Sequence, residues 1–408
     1  MILNRCPKHS PETGIRTVPP EETLEKVLPL LSKVGICSPE DITTLDNIGI
    51  PVFAVDRPDA ADGAVKNYNG KGVTRVQAMT SAAMEALERY SAELRDEDEV
   101  VYGTFEEAQE IGLVSDPKDH ILPLRTVGIY EGAEIAWFRA FELFRGSPIW
   151  VPACSVFHPY FPNGDLQLFR YHTNGIASGN TMEEAILHAL LELIERDAWS
   201  MTEVRGRAFA DVIVDDDSIP GQLLKKFKDQ GVEVHLKDLT HDIGIPTIGA
   251  ATDDTVTKAP DLLTIGVGTH LDPEIACIRA ITEVAQSRTT HKHGVKGNAR
   301  LIQVSKDMGY EKVKAANPVW YRDLSDKIHL KDMKNLSTPY VLDDIEVVLG
   351  KLMERGFEMV IAADLTRPEL DIPVVRMIVP GLEVSTMDPE REGWRAHGVW
   401  PPERSEYP

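Results

Sequence analysis

Two acidic side chains three residues apart on a helix stand one turn above the other and offer two oxygen ligands to the same neighbour. The sequence contains that arrangement twice in full, Glu85 with Glu88 and Glu192 with Glu195, and once with an amide second, Glu283 with Gln286. An arginine follows each pair within two positions: Arg89, Arg196 and Arg288. A single such pair is ordinarily a solvated surface, because charged residues are mostly exposed. Three at one offset, in helices otherwise rich in alanine and leucine, point elsewhere. In LLELIER, Glu192 and Glu195 are flanked by Leu190, Leu191, Leu193 and Ile194, which leaves little of that helix for water. Inward carboxylates repel one another and lose hydration, so they persist only with compensating cations. Hard divalent ions are the natural partners, and Mg2+ in particular is held by a few carboxylates together with substrate phosphates. The arginines would balance the remaining charge or grip phosphate bidentately. The set reads as a site for a magnesium-bound nucleoside triphosphate. Neither G-x-x-x-x-G-K-[ST] nor the kinase signature set accompanies it, so those two phosphate-binding folds are excluded.

The elements that carry these residues form an internal repeat, TRVQAMTSAAMEALERY from Thr74, TMEEAILHALLELIERD from Thr181 and DPEIACIRAITEVAQSR from Asp272. Each opens on a good N-cap residue, and Pro273 takes the first helical position of the third. Four and eight residues after the cap stand alanines (Ala78 and Ala82, Ala185 and Ala189, Ala276 and Ala280), a small-residue face where backbones can pack closely. Glycines precede each helix in NGKG (69–72), SGN (178–180) and GVG (266–268). Glycine there lets a backbone approach an anion that the free N–H groups of the first turn would receive.

Around the repeat, PEETLEKVLPLLSKVG predicts a helix stopped at Gly35, and IPVFAVDRP a strand. Further strands are expected in AEIAWFRAFEL, SPIWVPACSVF, VEVHLKDL, PTIGAATD and DLLTIGVGTH. Beyond residue 300 a helix in LDDIEVVLGKLMERG is followed by strands in FEMVIAADL and PVVRMIVPGL and a Pro-rich tail. Strands and helices interleave without a strict β-α-β rhythm, so an α+β fold with mixed or antiparallel sheets is expected rather than a doubly wound one. The expected division is a helix and strand segment over 1–64, a nucleotide-binding core over 65–300, and a C-terminal α/β portion of the same unit over 301–408.

The 408 residues, 42% of them hydrophobic, can bury a large core. A formal charge of −22, from 65 acids against 43 bases, disfavours nucleic acid as a partner. Such an acid excess also suits a salty cytoplasm, where self-repulsion is screened. The first residues lack a signal-peptide core, and no stretch reaches the ~20 apolar residues of a membrane span. A cytoplasmic protein in water is the expectation. Four scattered cysteines, Cys6, Cys37, Cys154 and Cys277, make neither a zinc site nor a disulfide framework. Cys277 is expected in the core and Cys154 on a buried strand, while Cys6-Pro-Lys-His9 reads as a loose terminus. His291 and His293 read as a polar helix end.

At these residues the sequence resembles the YcaO family, marked by an S-x-x-x-E-x-x-E-R helix, a second E-x-x-E-R helix behind a Gly-Asn turn, and an E-x-x-Q-x-R helix. Here they stand as Ser81, Glu85, Glu88 and Arg89; Ser178, Asn180, Glu184, Glu192, Glu195 and Arg196; and Glu283, Gln286 and Arg288. The likeness is close over about 70–290. It implies ATP and Mg2+ as cofactors, with Glu85, Glu88, Glu192, Glu195 and Glu283 as metal ligands. It also implies that Ser81, Ser178, Asn180, Glu184, Arg196, Gln286 and Arg288 hold the nucleotide, with Arg16 and Lys71 toward its phosphates, and that Glu85, Glu192, Glu195 and Arg288 are catalytic. The activity implied is phosphorylation of a peptide-backbone amide oxygen after a nucleophile has attacked the carbonyl. Azoline-forming members commonly end in P-x-P-x-P, whereas this chain ends WPPERSEYP. That departure makes it resemble the archaeal thioamide-forming branch, which implies a glycine of the methyl-coenzyme M reductase alpha subunit as substrate, a TfuA-like sulfur-delivery partner, and a homodimer.

Within the family an azoline-forming cyclodehydratase is the alternative, and two other classes fit parts of the pattern. Helical E-x-x-E pairs also occur in di-metal carboxylate proteins, although the usual E-x-x-H comb is missing from the three helices. A non-catalytic scaffold that binds a partner and keeps a vestigial nucleotide site is the other.

Overall fold

The computed structural model describes residues 1–10, 14–293 and 299–398. Three sheets carry the three repeat helices, one each. The smallest sheet runs β1 (Glu40–Asp41), β2 (Val52–Asp56), β3 (Asn67–Lys71), antiparallel throughout. Helix α2 (Arg75–Ser91) packs on it, with α1 (Pro20–Leu31) alongside. The second sheet has the order β11 (Ile265–Thr269), β10 (Thr247–Asp254), β9 (Val232–Asp238), β8 (Ala210–Ile213), β12 (Lys327–His329), its last pair parallel. Helix α6 (Pro273–His293) lies across β10 and β11. The third has the order β4 (Val100–Gly103), β5 (Ile135–Glu142), β13 (Ile361–Asp364), β14 (Val374–Ile378), β7 (Ile176–Ser178), with β6 (Ser147–Pro152) also pairing with β5. Its helix is α4 (Met182–Arg205), backed by α10 (Val341–Glu354). The expected α+β class with mixed and antiparallel sheets is what the chain adopts.

Local sequence explains why the three helices begin where they do. The Thr74 side chain accepts from the Gln77 amide and the Gln77 side chain returns to the cap, a complete capping box. Thr181 accepts from the amide of Glu184, and Asp272 from that of Glu274. The preceding glycines have a different use from the anion cradle expected of them. A Cβ on Gly70 would lie 2.1 Å from the Ala82 nitrogen and 2.2 Å from the Ala78 oxygen, and one on Gly268 would lie 2.2 Å from the Ala276 oxygen. Each of these glycines stands four residues before its cap and faces the alanines four and eight residues after it. Strand and helix are thus in direct backbone contact, which no larger residue permits. Gly179 meets the Ala185 nitrogen in the same way, at 2.6 Å.

Each repeat helix also touches the strand that leads into the next. Helix α2 reaches β7, α4 reaches β11, and α6 reaches β3. The three units therefore close into a ring, with the acidic combs at the places where one unit meets its neighbour.

The flanks are tied into this ring. Helix α10 buries Val341, Ile345, Val348 and Leu352 in one core cluster with Ile186, Leu190 and Ile194 of α4. The chain start, expected to be loose, is held: Asn4 N donates to Glu183 at 2.5 Å, Arg5 pairs with Asp343, and Lys8 with Asp344. Helices α3 (Phe105–Ile111), α5 (Ile219–Lys228), α7 (Ala299–Met308), α8 (Tyr310–Ala316) and α9 (Pro318–Tyr321) complete the set. Cys277 is in the core as expected, and Cys154 is buried in a turn just after β6. The Pro-rich tail lies outside the described residues. No described helix is long and apolar enough to cross a membrane.

Candidate functional site

At each contact around the ring, a comb residue of one unit bonds the strand of the next. Glu88 of α2 accepts the Ser178 amide at 3.0 Å and its hydroxyl at 3.4 Å, at the end of β7. Glu195 of α4 accepts the Thr269 amide at 3.0 Å, at the end of β11. Gln286 of α6 donates to the Asn69 carbonyl at 2.6 Å on β3, and Lys71 of the same strand donates to Glu283 at 2.8 Å. The repeat offset read from the sequence is thus a repeat in space.

Cations sit among the acids. Arg89 lies 3.3 Å from Glu88 and 3.6 Å from Glu85. Arg196 lies 3.6 Å from Glu195 and 3.9 Å from Glu283. Arg279, which the motif did not reveal, lies 3.8 Å from Glu195; it stands one turn before Glu283, the one signal that could have found it. Glu192 is half-buried and accepts the Gly175 amide at 3.4 Å.

Burial pushes the Glu88 carboxyl up to about 8, reinforced by Glu192 and Glu85 and opposed by Arg89. Burial likewise raises Glu195 to about 7, with Glu283 adding to it and Arg196 and Arg279 working against it. Burial raises Glu85 as well. At Glu283 burial is outweighed by Lys71 and Arg196, which hold that carboxyl below its ordinary value. Burial is thus the main force holding protons on this cluster, and the neighbouring cations outweigh it only at Glu283.

No three of the five glutamates bring oxygens within 4.8 Å of one another; among the described residues the one acidic and histidine group that does is Glu233, His235 and Asp253, where Tyr310 and Lys314 already bond Asp253. The cluster is not a closed cage for one ion but an open wall of hard oxygen donors. Buried guanidinium nitrogens around it lack hydrogen-bond partners, Arg196 Nε and Arg279 Nε among them. Unfilled donors beside excess carboxylates suit an anionic ligand that arrives with its own divalent cations.

Not every residue expected at the nucleotide comes to this wall. Arg288 is buried elsewhere, with Nε 2.9 Å from Asp46 Oδ2, Nη2 3.3 Å from Asp254 Oδ2, and Nη1 on the Leu262 carbonyl. The structure places it as a clamp between Asp46, just after the turn Thr43–Leu45, and Asp254 of strand β10. Ser178 spends both its amide and its hydroxyl on Glu88, so it positions a carboxylate. Glu184 is fully buried and accepts from Thr17 N at 2.5 Å, Thr17 Oγ1 at 2.6 Å and the Asn180 amide at 3.0 Å, with Arg16 at 3.4 Å. Arg16, Asn180 and Glu184 together fasten the chain start to the head of α4. Ser81 is half-buried on α2.

Comparison with known proteins agrees with this geometry. The family model of the YcaO cyclodehydratases, described as ATP- and Mg2+-binding, matches residues 69–383. The chain is 50% identical over 384 residues to an uncharacterised protein of Methanothermobacter thermautotrophicus, covering 93% of this chain and 98% of that one. An uncharacterised protein from the tfuA 3′ region of Rhizobium leguminosarum bv. trifolii is 30% identical over 391 residues, covering 90% and 89%. The structure of YcaO from Methanopyrus kandleri bound with AMPPCP and Mg2+ shares 29% identity at a TM-score of 0.80, covering 96% of this chain and 98% of that one. Fold and site define an ATP- and Mg2+-dependent enzyme of the cyclodehydratase class. The chain belongs to the YcaO family.

Proposed function

We propose that this enzyme converts a peptide-backbone amide to a thioamide, with hydrosulfide as nucleophile. Residues 65–300 form its nucleotide-binding core, and 1–64 and 301–408 are parts of the same unit. The observation that carries the reading is the ring of Glu85, Glu88, Glu192, Glu195 and Glu283, in which burial leaves carboxylates short of positive charge. These five hold Mg2+, directly or through water, while Arg89, Arg196 and Lys71 turn to the phosphates once the metal relieves their glutamates. Bound ATP supplies a phosphoryl group to the amide oxygen, with Mg2+ neutralising the charge that develops.

The chemistry balances without an oxidant. Sulfur bonds to the carbonyl carbon, the carbon–oxygen π pair moves to oxygen, and that oxygen leaves as phosphate. Amide, hydrosulfide and ATP become thioamide, ADP and phosphate, the S–H proton departing with the phosphate. Likeness to a methanogen protein and to a protein from a tfuA region favours a glycine of the methyl-coenzyme M reductase alpha subunit as target, a TfuA-like protein as sulfur donor, and a cytoplasmic homodimer as the working form.

The test is mass spectrometry of glycine-containing peptides incubated with the enzyme, ATP, Mg2+ and sulfide, with and without a TfuA-like partner. Replacement of one oxygen by sulfur is expected, and its loss in Glu192→Ala. Modification that survives in Glu192→Ala would leave a scaffold role instead.

A further inference from the structure

Behind the carboxylate wall lies a second polar site that the nucleotide does not account for. Strand β14 pairs with β7 so that Arg376 stands opposite Ile176, two residues from the Ser178 that holds Glu88. Arg376 lines a cavity of about 50 Å3 together with His172, Asn174, Ser155, His120 and Arg391. Leu193, the neighbour of Glu192 on α4, lines it too.

The charges here are unusual. Arg376 and Arg391 are 4% and 6% exposed, yet neither forms a direct ion pair with a carboxylate among the described residues; Glu192 of the wall acts on Arg376 only from beyond contact distance. Arg391 spends its guanidinium on the carbonyls of Ile121 and His120 and on the face of Phe169, with Asp388 the main negative charge acting on it. Arg376 Nη1 donates to the His172 carbonyl at 2.8 Å, and its Nε has no partner. Asn174, 3% exposed, leaves its Oδ1 unpartnered beside it.

His172 cannot serve both arginines. Arg376 Nη2 lies 3.3 Å from its Nδ1 and Arg391 Nη1 lies 3.2 Å from its Nε2. Burial and the two guanidinium groups keep this imidazole neutral. A neutral imidazole carries one N–H and one acceptor, so one of the two contacts sets a donor against a donor. A small anion drawn between the guanidinium groups would take that idle N–H and the orphan Arg376 Nε, supplying the charge the pair lacks.

We infer that this cavity seats the hydrosulfide nucleophile, an inference that rests on the thioamide reading above. Its size admits a few heavy atoms, enough for a small monoanion and too little for a peptide or a triphosphate. Held between two cations, hydrosulfide stays deprotonated next to the strand that carries Ser178 and Glu88. It attacks the carbonyl carbon as already balanced above.

The experiment has a structural and a kinetic arm. Crystals of the full chain soaked in sodium bromide are expected to show an anomalous peak between Arg376 and Arg391. With MgATP and peptide saturating, Arg376→Met is expected to raise KM for sulfide about tenfold or more, the loss of a charge-assisted contact, and Asn174→Ala to raise it less, the loss of the Oδ1 that accepts the S–H of hydrosulfide, while the MgATP dissociation constant stays put. Asn174→Ala keeps the inference testable where Arg376→Met fails to fold. An empty cavity in a chain that still makes thioamide, or variants that weaken MgATP binding and leave KM for sulfide alone, would overturn the site. Bromide bound in a chain that makes no thioamide with sulfide or with a sulfur-donating partner would overturn hydrosulfide as occupant together with the functional reading.

Discussion

Lys71 Nζ donates to Glu283 Oε2 at 2.8 Å, joining the strand that leads into the first repeat helix to the acidic comb of the third. The two residues are 212 positions apart, and their contact closes the ring of three units. Without Lys71, Glu283 would face Glu195 with Arg196 as the main remaining counter-charge. Lys71→Met is therefore expected to destabilise the metal-free chain by about 1.5–3 kcal/mol, the range for a hydrogen bond to a charged group. The stabilisation gained on adding Mg2+ should grow by a similar amount. Thermal melts in chelator and in Mg2+ measure both, and identical metal-free melts for the two proteins would refute the compensating role.

The raised carboxyls give the metal-free protein a signed pH dependence. Glu88 near 8 and Glu195 near 7 hold a proton in the folded state that the unfolded chain, near the ordinary 4.5, has already released. The folded state binds more protons, so stability falls as pH rises toward the folded values, by up to about 1.4 kcal/mol per pH unit for each group. Buried histidines work the other way until the unfolded chain has lost their protons, about one unit above 6.5, since His120, His158, His241 and His270 have folded values of about 3 to 4 and His172 and His188 are also lowered. Melting temperature in chelator should therefore drop between about pH 7.5 and 8.5, and Glu88→Gln should flatten the drop. Mg2+ displaces these protons, so its affinity should climb over the same interval with proton release.

Arg288 is expected to act on stability rather than on nucleotide affinity. Arg288→Met strands Asp46 and Asp254, both buried, with Lys292 left on Asp46 alone. Breaking such a pair from one side costs about 3–5 kcal/mol. Asp46→Asn in the same background should restore part of the loss. Denaturant unfolding reads this, and a large rise in the MgATP dissociation constant of the still-folded variant would return Arg288 to the nucleotide.

Gly268→Ala places a methyl group 2.2 Å from the Ala276 carbonyl oxygen, a backbone atom with no room to yield. Strand β11 must lift from α6 and carry the Thr269 amide away from Glu195. A loss of at least about 1–3 kcal/mol is expected, together with weaker MgATP binding. Gly350→Ala on α10, where a Cβ meets nothing within 4 Å, is the control and should stabilise by about 0.5–1 kcal/mol. Equal melting temperatures for the two variants would contradict the close strand and helix contact.

The repeat helices were legible because cap, alanine face and acidic comb recur at fixed offsets within each one, information that lies wholly inside seventeen residues. The principal long strands were legible from alternation and β-branched content. Strand β3 was not, because NYNGK has the composition of a turn and is a strand only through its pairing with β2 and its glycine contact with α2. Helix α5 and the short run α7 to α9 were passed over because their apolar faces are brief. Arg288 sits in the family motif, but its partners Asp46 and Asp254 lie 242 and 34 residues away, and no local pattern announces them. Arg376, Arg391 and His172 are each unremarkable in sequence; only their shared cavity gives them a common task.

The bare glycine contacts have one more consequence. Where side chains interleave between a strand and a helix, the helix can slide or roll by rotamer changes; where backbone rests on backbone, it has no such bearing to turn on. The frames of α2 and α6 are in this sense fixed, and the glutamates must reach a cation by their own torsions. An octahedral ion with bonds of about 2.0–2.1 Å suits a stiff frame completed by water and phosphate. Calcium, with bonds of about 2.3–2.6 Å and a taste for more ligands, asks for a breathing cage that this scaffold does not offer. Discrimination between the two ions is thereby delegated to residues that carry no charge and touch no ligand.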